Sequence, residues 1–283
     1  MNKKNEYLAS ALDKLHSKNE DFIMIGLTGR TGSGCTTAAN ILSSEKSSIE
    51  HSLFNGDVAE NNIQRKEKIL GKYFDKNWQP FTHLRVSSVL TLMLLDVDDI
   101  TDVQTFLQKQ ESIRKDDLSF LLSSHFDLKT NKIEMTKNDF YIVYLSKLTD
   151  EIRKKLEEAS FVKLYQLLGR NARRSGSVTA NRMKNGAFFS IAQKIKEISD
   201  FLRTENKEQG KSTYLAIDAI RSPLEASYFQ ERYASFYLLA ISCKENIRKE
   251  RLIKKGLSEE SIEQIDRNEY ASLDLDGNLP IFS

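Results

Sequence analysis

Residues 22–42, FIMIGLTGRTGSGCTTAANIL, constrain this chain more than any other stretch. Phe22, Ile23, Met24, Ile25 and Leu27 form a short apolar run, the pattern of a strand buried on both faces of a parallel sheet. Gly29, Gly32 and Gly34 follow, interleaved with Arg30, Thr31 and Ser33, and Thr36 and Thr37 open an alanine-containing helix. Successive backbone N–H groups in such a turn form a nest for anions, and the helix N-terminus adds partial positive charge. The layout Gly29-x-x-x-x-Gly34 is therefore that of a phosphate-binding loop. One position departs from it: where G-x-x-x-x-G-K-[ST] carries lysine, this chain has Cys35. A thiol supplies no positive charge, and a helix N-terminus lowers a thiol pKa toward the anion, which repels phosphate.

The 283 residues suffice for one large α/β domain or two small ones. Against 40 acidic residues stand 42 basic ones, a net charge of +2, so any anion site must be local and nucleic acid is not an expected partner. No apolar run approaches the roughly 20 residues that cross a bilayer. The N-terminus, MNKKNEYLASALDKLHSKNEDF, lacks an apolar signal core and reads as an amphipathic helix. Cys35 and Cys243 lie far apart, and His16, His51, His83 and His125 are scattered. That usage implies a reducing, cytoplasmic setting with neither a disulfide framework nor a zinc site.

In chain order, 49–55 is a second candidate strand, leading into Gly56-Asp57. Trp78, Pro80 and Phe81 follow, then VSSVLTLMLLDV at 86–97, apolar enough for a buried helix. From 98 to about 160 the pattern is polar and helical. Within 161–176, FVKLYQLLGRNARRSG, residues Gln166, Arg170, Arg173 and Arg174 fall at i, i+4, i+7 and i+8, on one helix face. Such a face is either an anion-binding surface, since arginine grips phosphate bidentately, or a solvated basic stripe. An amphipathic helix is expected over 187–204 and a strand over 213–220, placing Asp218 near its carboxyl end and Arg221 just beyond. Ser222-Pro223-Leu224-Glu225 has the form of a capping box opening a helix. A buried strand over 235–242 precedes a second candidate box, Ser242 to Glu245, before NIRKERLIKKG, which Gly256 ends. Another helix is expected near SEESIEQIDRNEYASL. Strands alternating with helices in this order give a doubly wound α/β fold with a mostly parallel sheet. In such sheets ligands sit at the strands' carboxyl ends, where the glycine loop and Asp218 converge.

With these stretches in view, the chain resembles the P-loop kinase superfamily, in its nucleoside-monophosphate-kinase-like branch. GLTGRTGSGCTT, YQLLGRNARRSG, AIDAIRSPLEASYF and NIRKERLIKKG with IDRNEY carry the likeness. Together with the W-x-P-F stretch at 78–81, they are similar, more narrowly, to the N-terminal P-loop domain of bacterial anti-phage dCTP deaminases, the deoxycytidylate-deaminase-like proteins. The resemblance implies a kinase-like parallel sheet flanked by helices, forming one nucleotide-binding domain over 1–283. Its core would be about 20–58 and 205–275, with a long helical insertion at about 59–204.

The same resemblance implies a (deoxy)nucleotide ligand with Mg²⁺, Thr36 holding the ion, and Asp218, Arg248 and Arg251 in catalytic positions. Arg267 would be a further lid cation and Asp57 would open the monophosphate region, although a simple turn is an equal reading there. A deaminase domain or subunit and a homo-oligomer are the implied partners. Departures are specific. The H-x-E and P-C-x-x-C pair of a zinc deaminase is missing, so these residues carry no deaminase chemistry. The chain ends at DLDGNLPIFS, about where a linker to that domain begins in two-domain relatives, which implies a partial or stand-alone version. Ala219 replaces the glycine after the kinase aspartate. Arg30 is a candidate stand-in for the lysine. Trp78 and Phe81 read as core rather than base-stacking groups, and Cys243 as a buried small hydrophobe. Three functions stay open: a nucleotide-binding domain serving a deaminase, an active nucleotide kinase, and a non-catalytic interaction module.

Overall fold

A computed structural model describes residues 21–49, 56–97, 99–110 and 113–269. The amphipathic helix expected at the N-terminus and most of the strand expected at 49–55 lie outside the described residues. Among the described residues the architecture is α/β: a four-stranded, all-parallel sheet in the order β2-β3-β1-β4, flanked by helices. β1 (Phe22–Thr28) leads through the glycine loop into α1 (Cys35–Leu42). α2 (Asn62–Asn77) precedes β2 (Thr82–Arg85), and α3 (Val86–Leu95) leaves β2 directly. Next come α4 (Ile100–Gln108), α5 (Lys115–Glu134), α6 (Leu145–Ser175) and α7 (Ser190–Glu208). β3 (Thr213–Asp218), α8 (Pro223–Arg232), β4 (Phe236–Ala240), α9 (Glu245–Lys254) and α10 (Glu259–Glu269) complete the order.

β1 is interior because it is the apolar run with a partner on each side. Phe22 pairs with Thr213 and Leu27 with Asp218 on β3, while Met24 pairs with Phe236 and Thr28 with Ala240 on β4. On the other side of β3, Arg85 pairs with Asp218. This register brings the carboxyl ends of β1, β2 and β3 level. The glycine loop, Asp218 and the start of α3 therefore open onto one edge of the sheet, where α/β folds place their ligands. β2 lies inside the span read as helical insertion, and its pairing with β3 makes 82–85 part of the sheet.

Helix α3 is the buried helix expected from its composition: Val86, Val89, Leu90, Leu92, Leu94 and Leu95 are all in the core. An all-round apolar helix has no solvent face and must be enclosed; α6 and α7 do this. Helix α6 is broken at Glu157, whose φ of 63° and ψ of 157° lie outside helical space. The Ser222 box forms as read, with Pro223 at the first helical position and Glu225 accepting from the Ser222 N–H at 3.3 Å. The Ser242 box does not form. Helix α9 starts two residues later, capped at Lys244 without a side-chain hydrogen bond. Gly256 ends it at φ 88°, its N–H donating to Ile253 O at 2.9 Å.

Candidate functional site

Two glycines of the loop are demanded by space and backbone. A Cβ on Gly29 would sit 2.3 Å from the Ile241 carbonyl oxygen. Gly34, the residue capping α1, has φ 114°, a conformation costly for any residue with a Cβ. The loop is closed by Ser33 N–H donating to Arg30 O at 2.9 Å, and the helix begins with Ala38 N–H donating to Gly34 O at 2.9 Å. The N–H groups of the first helical turn have no acceptor within the helix. Thr36 and Thr37, exposed in that turn, line a cavity of about 570 Å³ that the loop shares with α3, α6, α9 and α10.

Cys35 also lines this cavity, but its side chain is buried in a small cluster with Leu27, Ala39 and Ala219, 3.8 Å from the Ser33 hydroxyl. Burial pushes its thiol pKa up, with the Asp218 charge acting in the same direction. The shift is opposite to the lowering expected at a helix N-terminus: burial outweighs the lowering by Ser33, Arg221 and the loop backbone, and the loop holds a neutral thiol.

Asp218 sits at the end of β3, 8% exposed. His83, on β2, brings Nε2 to 3.4 Å from Asp218 Oδ2. Burial alone would raise the Asp218 pKa; contacts with His83 and Thr36, and the Arg221 charge, more than reverse this and hold the carboxyl below its usual range. A charged carboxylate thus faces the loop beside a hydroxyl. Among the described residues no group of three or more His, Cys, Asp or Glu side chains is arranged to hold a metal ion.

The cations around the loop divide sharply. Arg30 is bound to Glu245 at 2.7 Å and to Asp266 at 2.8 Å. Arg248, 1% exposed, binds the same two carboxylates at 2.7 and 2.6 Å and donates to Thr31 O at 3.0 Å. Its hydrogen bonds draw the Glu245 pKa down to about 2. These pairs fasten α9 and α10 to the loop; Arg30 lines the cavity with its guanidinium already paired, and Arg248 is not among the residues lining it. Arg221 donates from Nη1 to Gly29 O at 2.7 Å and to Glu269 at 2.9 Å. Glu269 in turn accepts from the Thr31 N–H at 3.1 Å. Arg173 lines the cavity, yet its guanidinium is paired with Glu225 at 2.9 Å, with side chains 4% and 1% exposed. By contrast Arg251, Lys254 and Lys255 line the cavity, are exposed and make no ion pair among the described residues. Arg251 lies beside the loop, with Nη1 3.7 Å from where a Cβ on Gly34 would stand.

Apolar and aromatic residues share part of the cavity wall with Arg153, whose guanidinium lies 4.4 Å from the Phe161 ring, and Glu158. Val86, Leu90, Phe161, Val162 and Tyr165 line this part, with the Phe161 and Tyr165 rings stacked at 4.0 Å. The Tyr165 hydroxyl is satisfied by Thr91 at 2.7 Å, so the ring is fixed and only its face is offered. Gln166 lines the wall and is tied to α10 through Asn268, 3.1 Å from its Oε1.

Several residues singled out in sequence stand elsewhere. Arg170 is exposed and not part of the cavity wall, and of the four-residue helix face only Gln166 and Arg173 reach it. Arg267 points away, pairing with Glu263 at 3.1 Å. Asp57 is exposed and Trp78 is half-buried, packed on Phe74 at 4.9 Å; neither lines the cavity. Cys243 is half-buried rather than enclosed. Sequence reasoning passed over His83, Lys254, Lys255 and Glu269. His83 sits on a four-residue strand after Pro80, too short for its alternation to register. Comparison of the chain with protein-family models, curated proteins and solved structures finds no match.

Proposed function

We propose that the chain is a kinase-like P-loop domain that binds a (deoxy)nucleotide through its phosphates. The observation carrying this reading is the strand–glycine loop–helix unit opening onto a cavity whose wall combines the loop and exposed cations with apolar and aromatic side chains. Backbone N–H groups of the loop and the first turn of α1 would cradle the phosphates, with Arg251 and Lys254 supplying charge. The part of the wall formed by Leu90 and the Phe161–Tyr165 pair would take the base. Thr36 and the ionised Asp218 offer hard oxygen donors suited to Mg²⁺, which prefers such ligands and keeps several of its waters; the ion would screen the phosphate charge. By the sequence resemblance, the partner served is a deoxycytidylate-type deaminase in anti-phage defence, and the setting is cytoplasmic.

Calorimetric titration with ATP, dNTPs and dNMPs, with and without Mg²⁺, tests this. Saturable binding is expected, and no binding at millimolar ligand sinks the proposal. Active phosphoryl transfer is a second reading, favoured by Arg251 beside Gly34, where the loop lacks its lysine. A coupled ADP-release assay decides it: turnover abolished by Asp218→Asn supports the kinase, and silence with intact binding leaves the binding function alone.

A further inference from the structure

On the reading that this cleft takes nucleotide phosphates, part of its anion-binding equipment is already in use. Glu269, in the last turn of α10, puts its carboxylate on the loop. It accepts from the Thr31 N–H at 3.1 and 3.2 Å, from the Thr31 hydroxyl, and from Arg221 Nη1 at 2.9 Å. Its side chain is 6% exposed. An amide, a hydroxyl and a guanidinium converging on two oxygens serve a phosphate as well as a carboxylate.

Burial of this charge carries a desolvation cost, which the loop's donors offset. One turn earlier, Asp266 is anchored to Arg30 at 2.8 Å and to Arg248 at 2.6 Å.

We propose that Thr31 and Arg221 form an anion subsite of the glycine loop whose internal occupant is Glu269, and that an incoming phosphate group displaces this carboxylate and loosens the 266–269 stretch of α10. The protein's own glutamate then competes with the ligand, and the apparent affinity falls by the fraction of molecules in which Glu269 is seated. The nucleotide bound also becomes readable outside the cleft, as the order of that stretch.

The test compares wild type with Glu269→Gln, which keeps the size of the side chain and removes its charge. Inorganic tripolyphosphate and ATP are titrated into each by calorimetry. Binding about tenfold or more tighter to E269Q is expected, since a competing charge-assisted contact is lost. If wild type binds and E269Q binds no more tightly, the displacement idea fails while nucleotide binding stands. If neither protein binds either ligand, both fall. Hydrogen exchange on wild type gives a second reading that does not depend on the variant folding. Saturating tripolyphosphate should slow amide exchange in 31–37 and speed it in 266–269. Unchanged or slower exchange in 266–269 overturns the proposal, because a Glu269 that merely docks α10 has no reason to be released.

Discussion

Arg173 is where the two roles of an arginine in this cleft can be separated by one substitution. Its guanidinium donates from Nε to Glu225 Oε1 at 2.9 Å and from Nη2 to Oε2 at 3.3 Å, in a setting where both side chains are almost fully enclosed. Arg173→Met keeps much of the stem's packing and leaves the Glu225 charge without its cation. Breaking a buried pair in this way costs about 3–5 kcal/mol. Glu225 keeps two backbone donors, Ser222 N–H at 3.3 Å and Arg221 N–H at 3.4 Å. Both are long, so they recover little, and about 3 kcal/mol is the expected loss. At about 2–4 °C per kcal/mol for a chain of this size class, the midpoint should fall by roughly 6–12 °C. Urea denaturation gives the free energy, and a lower midpoint at unchanged slope is the signature of a native-state effect. The double variant Arg173→Met with Glu225→Leu should regain most of the loss, short of about 1 kcal/mol for the abolished cap. A loss under about 1 kcal/mol in Arg173→Met, together with a large fall in nucleotide affinity, would refute the reasoning and return Arg173 to the ligand.

Other consequences are as direct. Glu157 holds φ 63° and ψ 157°, a region that only glycine occupies freely. Glu157→Gly should therefore raise stability by about 1 kcal/mol, read as an upward shift of the urea midpoint; a fall would show that the kink is not strained. Cys35, buried with its pKa raised, should react far more slowly with a disulfide thiol reagent than half-buried Cys243, and equal rates in the native protein would contradict this. Because the folded pKa of Asp218 is depressed, its stabilisation is present above the ordinary value of 3.8 and disappears as pH falls below that through the folded value. Asp218→Asn should flatten the acid limb of the stability–pH curve, and an unchanged limb would remove Asp218 from that account. In the binding assay, Arg251→Ala should weaken ATP about tenfold while Arg267→Ala leaves it unchanged, the reverse order being fatal to the placement of the free cations.

What could be read in advance follows from how local each signal is. The glycine loop, the buried helix at 86 and the Ser222 cap announce themselves over a few adjacent residues, and each stands where its pattern puts it. Asp218 was legible for the same reason: an apolar run ending in an acid has one simple geometry in a parallel sheet. The arginines were not. A guanidinium looks alike in sequence whether it faces solvent, a ligand or a carboxylate, and the choice depends on partners far along the chain. Arg173 finds Glu225 across 52 residues, and Arg30 finds Glu245 across 215. The face drawn through Gln166, Arg170, Arg173 and Arg174 was sound as helix geometry and blind to which arc of the helix meets the cavity. Glu269 is the extreme case, an ordinary surface-helix residue by pattern whose partner is a loop amide 238 residues away.

The distribution of cations also bears on whether a nucleotide held here would be turned over. Transition-state stabilisation needs charge fixed in place before the reaction, because a group that must reorganise contributes little. In and around this cleft Arg30, Arg173 and Arg248 are paired with carboxylates, and Arg251, Lys254 and Lys255, which make no ion pair among the described residues, are exposed side chains near the end of α9. A unit charge 4 Å away is worth about 4 kcal/mol at an effective dielectric of 20 and about 1 kcal/mol in water. Exposed cations work nearer the second figure until something excludes solvent. That suffices to help hold a polyphosphate and falls short of what a buried, fixed lysine supplies. Cys35 cannot simply be exchanged for that lysine, since its side chain, although part of the cavity wall, is largely buried against Leu27, Ala39 and Ala219. On the proposed reading, such exposed cations suit holding phosphates better than transferring them.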